Sequence, residues 1–126
     1  MVGDPAMTQR AVVLFGHGSR DPLWRRPMEA VAQRLSARDP GLQVRCAYLE
    51  LNPPDLDTVV AELAASGAAA LTLVPMFLGA GKHIREDLPA LVDGLRARHP
   101  ALALTLQRPV GEDDRLLDLL ADIAQG

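Results

Sequence analysis

The chain is 126 residues long, enough for one domain with a single core, and 48% of it is hydrophobic but only 3% aromatic, so the interior is built mostly of Leu, Val and Ala. A formal charge of -3 and a pI near 5.5 exclude the broad basic face that nucleic-acid binding needs. The lone Cys46 excludes an internal disulfide or an iron–sulfur cluster, and the longest apolar run, Ala68 to Leu78, is too short for a bilayer and broken by Pro75. With no charged start followed by an apolar run to mark a secretion signal, the pattern predicts a cytoplasmic protein without a membrane span. The polar stretch MVGDPAMTQR predicts a loose tail over 1–10, with Met7 a candidate natural start, ahead of one domain over 11–126.

In chain order, AVVLF at 11–15 reads as a buried strand, and Met28, Val31, Ala32 and Leu35 then recur at helical spacing until DPG at 39–41. VRCAYL at 44–49 is a second strand. After the NPPD turn, Leu56, Val59, Val60 and Leu63 mark a second helix ended by Gly67. LTLVPMF at 71–77 is the third strand. From Ile84, an apolar stripe of Leu88, Leu91, Val92 and Leu95 predicts a third helix, with Glu86 and Asp87 read as first-turn partners of the helix dipole. LALTLQ at 102–107 is a short fourth strand. Leu116, Leu117, Leu119, Leu120 and Ile123 predict a last helix that is either core or dimer surface.

This βαβαβαβα order predicts an α/β fold of three layers: an open four-stranded parallel sheet, order 2-1-3-4, with helices on both faces. The chain reverses between strands 1 and 3, and such sheets place their ligand crevice at the carboxyl ends of the strands beside that switch. LFGHGSRDP brings His17 there, MFLGAGKH brings His83 from strand 3, and YLELNPPD brings Glu50 from strand 2. Two imidazoles and a carboxylate suit a borderline divalent ion such as cobalt, nickel, iron or zinc. The glycines beside the histidines allow a large flat ligand to approach the backbone, with Met76, Phe77 and Leu78 as an apolar wall. Five of the 13 basic residues, Arg20, Arg25, Arg26, Lys82 and Arg85, fall in or beside the two histidine loops, which suggests a ligand carrying carboxylates or phosphates.

GHGSRDP after strand 1, YLEL after strand 2 and VPMFLGAGKHIREDLP after strand 3 together resemble the short, single-lobe class II tetrapyrrole chelatases, the sirohydrochlorin cobalto- and ferrochelatases, over residues 11–125. The resemblance implies insertion of cobalt or ferrous iron into sirohydrochlorin, or a related acidic tetrapyrrole, for cobalamin or sirohaem synthesis. It implies that His17 and His83 handle metal and accept protons with Glu50 beside them. Ser19, Arg20, Lys82, Arg85, Phe77 and Leu78 then contact the macrocycle, whose carboxylate rim fits the clustered cations. The divalent metal, nickel included, is a substrate, and no tightly bound cofactor is expected. Larger relatives close their cleft with a second lobe, so this single lobe is expected to form a two-fold homodimer.

Each residue also has a plainer reading. Glu50 competes with a cap at the NPPDL helix start, Ser19 with a turn cap, Arg25 and Arg26 with a solvated pair, and His99 sits at a helix end where a cation suits the dipole. Glu86, one turn from His83, is a candidate support for it. Ser19 cannot be the nucleophile of a G-x-S-x-G elbow, because the run is GHGSRD, and Gly16 and Gly18 lack the third glycine of a dinucleotide fingerprint. The rival from another class is a tetrapyrrole or metal carrier, which shares these residues and lacks turnover.

Overall fold

The computed structural model describes residues 9–126; positions 1–8 of the expected tail lie outside the described residues. Strand β1 (Arg10–Gly16) begins one residue before the expected domain start, with Arg10 in register with Ala70. A 3-10 turn (Pro22–Arg25) leads into α1 (Arg26–Arg38), followed by β2 (Gln43–Tyr48), α2 (Leu56–Ala65), β3 (Ala70–Pro75), α3 (Lys82–Arg98) and β4 (Ala103–Leu106). A second 3-10 turn (Val110–Glu112) precedes α4 (Asp114–Gln125). The four strands form one parallel sheet of order β2-β1-β3-β4, as the alternating pattern requires.

Strand alternation sorts side chains into two layers. Ala11, Val13 and Phe15 of β1, Ala47 of β2 and Leu71 and Leu73 of β3 point to one face, where Val59, Val60 and Leu63 of α2 and Leu88, Val92 and Leu95 of α3 cover them. On the opposite face Leu14 and Tyr48 meet Met28 of α1, with Val12, Ala32, Cys46, Val74 and Met76 packed alongside. Asp55 caps α2 by accepting the Thr58 amide at 2.8 Å, and hydrogen bonding from the Thr58 side chain, followed by that amide, lowers its carboxyl pKa. The cap at this helix start is therefore Asp55 and not Glu50.

Tyr48 is 3% exposed, and burial, followed by the neighbouring Cys46, pushes its hydroxyl from the ordinary value of 10.0 up to about 12. A group with a raised folded pKa stabilises the fold below its unfolded value and loses that contribution as pH climbs through the folded one. Stability attached to Tyr48 is thus complete below about pH 10 and lost towards pH 12. Tyr48 is the only tyrosine, so tyrosinate absorbance reports it alone. We expect the native protein to titrate near pH 12 and the urea-unfolded chain near 10; coincident curves would contradict the packing of this second layer.

Candidate active site

The carboxyl ends of β1, β2 and β3 carry the site. Beyond β1 the chain is bound on both sides: Leu49 N–H donates to Gly16 O at 2.9 Å, Glu50 N–H to His17 O at 3.1 Å, and Met76 N–H to Phe15 O at 2.8 Å. His17 is thereby fixed at the middle of the sheet edge with its ring exposed. That ring stands edge-on to Phe77 at 5.9 Å, and Phe77 stands edge-on to Phe15 at 6.1 Å, so an aromatic column rises from the core to the histidine.

His83 arrives from the other side. Helix α3 starts at Lys82, two residues earlier than expected, so His83 lies in its first turn and not in the preceding loop. Both histidines line one cavity of about 420 Å³, walled by Phe15, Leu49, Ile84, Leu88 and Leu91 and bordered by Lys82, the only lysine in the chain, and Asp87. Unbonded amides at the start of α3 add partial positive charge beside the cavity.

The CbiX family model matches residues 11–125. The chain belongs to the CbiX family. A sirohydrochlorin cobaltochelatase of Methanococcus maripaludis is 27% identical over 141 residues, covering 92% of this chain and 98% of its own. Another, from Sulfolobus acidocaldarius, is 27% identical over 114 residues and covers 90% and 89%. Among solved structures, a Marinobacter aquaeolei VT8 protein assigned to cobalamin (vitamin B12) biosynthesis as CbiX superposes with a TM-score of 0.80 at 34% identity, over 92% of this chain and 94% of that one. The sirohydrochlorin chelatase SirB of Bacillus subtilis subspecies spizizenii, solved with cobalt, shares the fold with a TM-score of 0.73 at 24% identity, and the match spans 47% of its length.

The other sequence-derived residues of this CbiX-family chain separate into those near the cavity and those away from it. Glu50 is exposed and its backbone abuts His17, yet it is not among the cavity-lining residues, and among the described residues no three His, Cys, Asp or Glu side chains converge as a metal set. The carboxylate that does line the cavity is Asp87, one turn after His83. Because α3 begins at Lys82, its first turn holds no acid, so Glu86 and Asp87 are too far along to act as dipole partners.

The expected apolar wall is also differently built. Phe77 is only 7% exposed and belongs to the core beneath His17, while Met76 points to the opposite face because alternate residues leave a sheet on opposite sides. Leu78 is 68% exposed but rests its backbone on Gly111. Ser19 is a turn residue whose Oγ accepts the Asp21 amide at 3.1 Å, and Arg20 is exposed outside the cavity. Arg85 borders, with Arg108, a neighbouring cavity of about 270 Å³ that shares Ile84 and Leu88 with the histidine cavity. Arg25 faces the Cys46–Tyr48 side of the molecule, and His99 ends α3 away from the site.

Asn52 went unnoticed in the sequence. Its Oδ1 accepts the Ser19 amide at 2.8 Å, tying the loop after β1 to the loop after β2, and only the two sequence-distant loops in contact reveal the role. Gly18 makes the same junction possible: its φ is 102°, and a Cβ there would run into the Glu50 carbonyl. Gly18→Ala should therefore cost at least about 2 kcal/mol, seen as a lower urea midpoint with unchanged slope. An unaltered midpoint would show that the loops do not pack this way.

Proposed function

We propose that this protein inserts a divalent metal, cobalt in the first instance, into sirohydrochlorin. The observation that carries the reading is the meeting of His17 and His83, from opposite sides of the switch between β1 and β3, on one largely apolar cavity with Lys82 at its border. The relatives named as sirohydrochlorin cobaltochelatases supply the substrate and the choice of metal. A metal-free tetrapyrrole must release two inner N–H protons as the divalent ion enters. Neutral imidazoles can both coordinate a borderline ion and accept those protons, and few protein ligands leave the ion coordination positions open for the ring nitrogens.

In this scheme the macrocycle lies against Leu49, Ile84 and Leu91, its carboxylates drawn to Lys82 and to Arg20 and Arg85 outside the cavity. His17 and His83 hold the arriving ion and take up the pyrrole protons. Glu50, carried by the family pattern and by its backbone contact with His17, offsets charge or relays protons to solvent. The protein works in the cytoplasm as a two-fold homodimer within cobalamin or sirohaem synthesis, and the ion is a substrate that leaves in the product.

Anaerobic absorbance of sirohydrochlorin with cobalt, ferrous iron or nickel tests this, because insertion changes the macrocycle spectrum. We expect many turnovers per protein, fastest with cobalt. Tight binding with a rate no faster than without protein would replace the enzyme with a carrier, and a faster rate with ferrous iron would move the protein to the sirohaem branch.

A further inference from the structure

The segment after β4 does not line the histidine cavity, yet it builds the cavity beside it. Gln107 N–H donates to Leu73 O at 3.0 Å and Gly111 N–H to Phe77 O at 2.9 Å, so the chain between them is bound back onto β3 and the loop that follows it. Arg108 is carried on that span. Arg85, from the first turn of α3, borders the same cavity of about 270 Å³, which Leu88, Pro89 and Leu106 line with apolar surface.

The two guanidiniums have no carboxylate of their own. Among the described residues neither Arg85 nor Arg108 makes an ion pair. Asp113 feels the Arg108 charge but is already held by Arg115 at 2.7 and 3.0 Å. Glu112 borders the cavity and pairs with neither arginine. Two like charges on one small, partly apolar cavity repel each other, and the repulsion is relieved when an anion joins them. The guanidinium fork matches a carboxylate with two parallel hydrogen bonds.

Size and position narrow the anion. A cavity that holds a whole small ligand measures about 300–1,000 Å³, so this one suits a single arm of a larger molecule. It adjoins the histidine cavity, since Ile84 and Leu88 line both. These two residues are one turn apart on α3 and form a ridge between the cavities, with His83 on one side of it and Arg85 on the other.

We propose that the Arg85–Arg108 cavity is a subsite that takes one carboxylate arm of the macrocycle while the ring lies against the histidine cavity. An arm anchored away from the ring centre fixes the rotation of the ring over His17 and His83, which makes Arg108 a positioning residue for insertion. Glu112, on the same border, opposes the anion and limits its affinity, as suits a product that must leave. The inference rests on the tetrapyrrole reading of the proposed function and adds the β4 segment to that site.

Spectral titration of metal-free sirohydrochlorin into the wild type, Arg108→Ala, Arg108→Lys and Glu112→Gln tests the subsite, with circular dichroism to confirm each fold. We expect Arg108→Ala to weaken binding about tenfold, the loss of one charge-assisted contact. Arg108→Lys should recover part of that loss, and Glu112→Gln should bind more tightly than the wild type. In the insertion assay Arg108→Ala should raise KM by more than it lowers kcat, because the proton-accepting histidines border the other cavity. A wild type that binds no macrocycle overturns the proposed function itself. A wild type that binds it, with Arg108→Ala binding equally well, gives the cavity to a free anion or to none and overturns the subsite alone. Weaker binding by a folded Glu112→Gln overturns it too, and this conservative variant keeps the test decisive if Arg108→Ala does not fold.

Discussion

Replacing His17 or His83 by alanine is expected to take metal insertion down by a factor of at least about 10², towards the uncatalysed rate, while macrocycle binding persists. Binding persists because the apolar wall of Leu49, Ile84 and Leu91 and the cation of Lys82 are untouched. Both variants should fold. The bond that His17 makes to Glu50 is through its backbone carbonyl, which alanine keeps, and His83 is an exposed residue on the first turn of a helix, where alanine is well tolerated. The measurement is the anaerobic absorbance rate at matched folded concentration, with dissociation constants from spectral titration. If the two histidines act as a unit, the double variant should be little slower than either single one. A variant retaining half the wild-type rate would remove that histidine from the chemistry.

The largest effect on stability is expected at Phe15. This residue is 1% exposed in the central strand β1 and holds Phe77 edge-on, which in turn supports the His17 ring. Phe15→Ala loses the transfer free energy of the ring and leaves a cavity between the sheet and its helices, a cost of about 3–5 kcal/mol. Against a total of about 5–15 kcal/mol for a domain, this lowers Tm by about 10–20 °C. Thermal unfolding followed by circular dichroism measures it. A loss under about 1 kcal/mol would mean that the site collapses around the smaller side chain. The same variant should slow insertion at temperatures where it is still folded, because the support under His17 is gone.

The alternation of apolar strands and amphipathic helices was enough to determine the parallel sheet, its order and the edge on which His17 and His83 meet. The reason is that right-handed crossovers leave few topologies, and ligands in such sheets gather at the switch point. Local spacing could not say which way a side chain turns once two loops pack together. Phe77 went into the core beneath His17 because strand alternation continues past Pro75, and Asp87 entered the cavity because α3 starts at Lys82 and carries its second turn over the site. Glu50 stayed outside the cavity lining while its backbone was bound to His17, and Asn52 became the tie between the β1 and β2 loops. The pattern of α4 showed an apolar stripe but not what it faces. That depended on how the segment after β4, with Gly111 against Leu78 in a contact between segments far apart in the chain, places a helix that buries none of its residues. Periodicity is a property of neighbours in sequence and determined the elements; the facing of side chains is a property of neighbours in space and was decided only when the loops met.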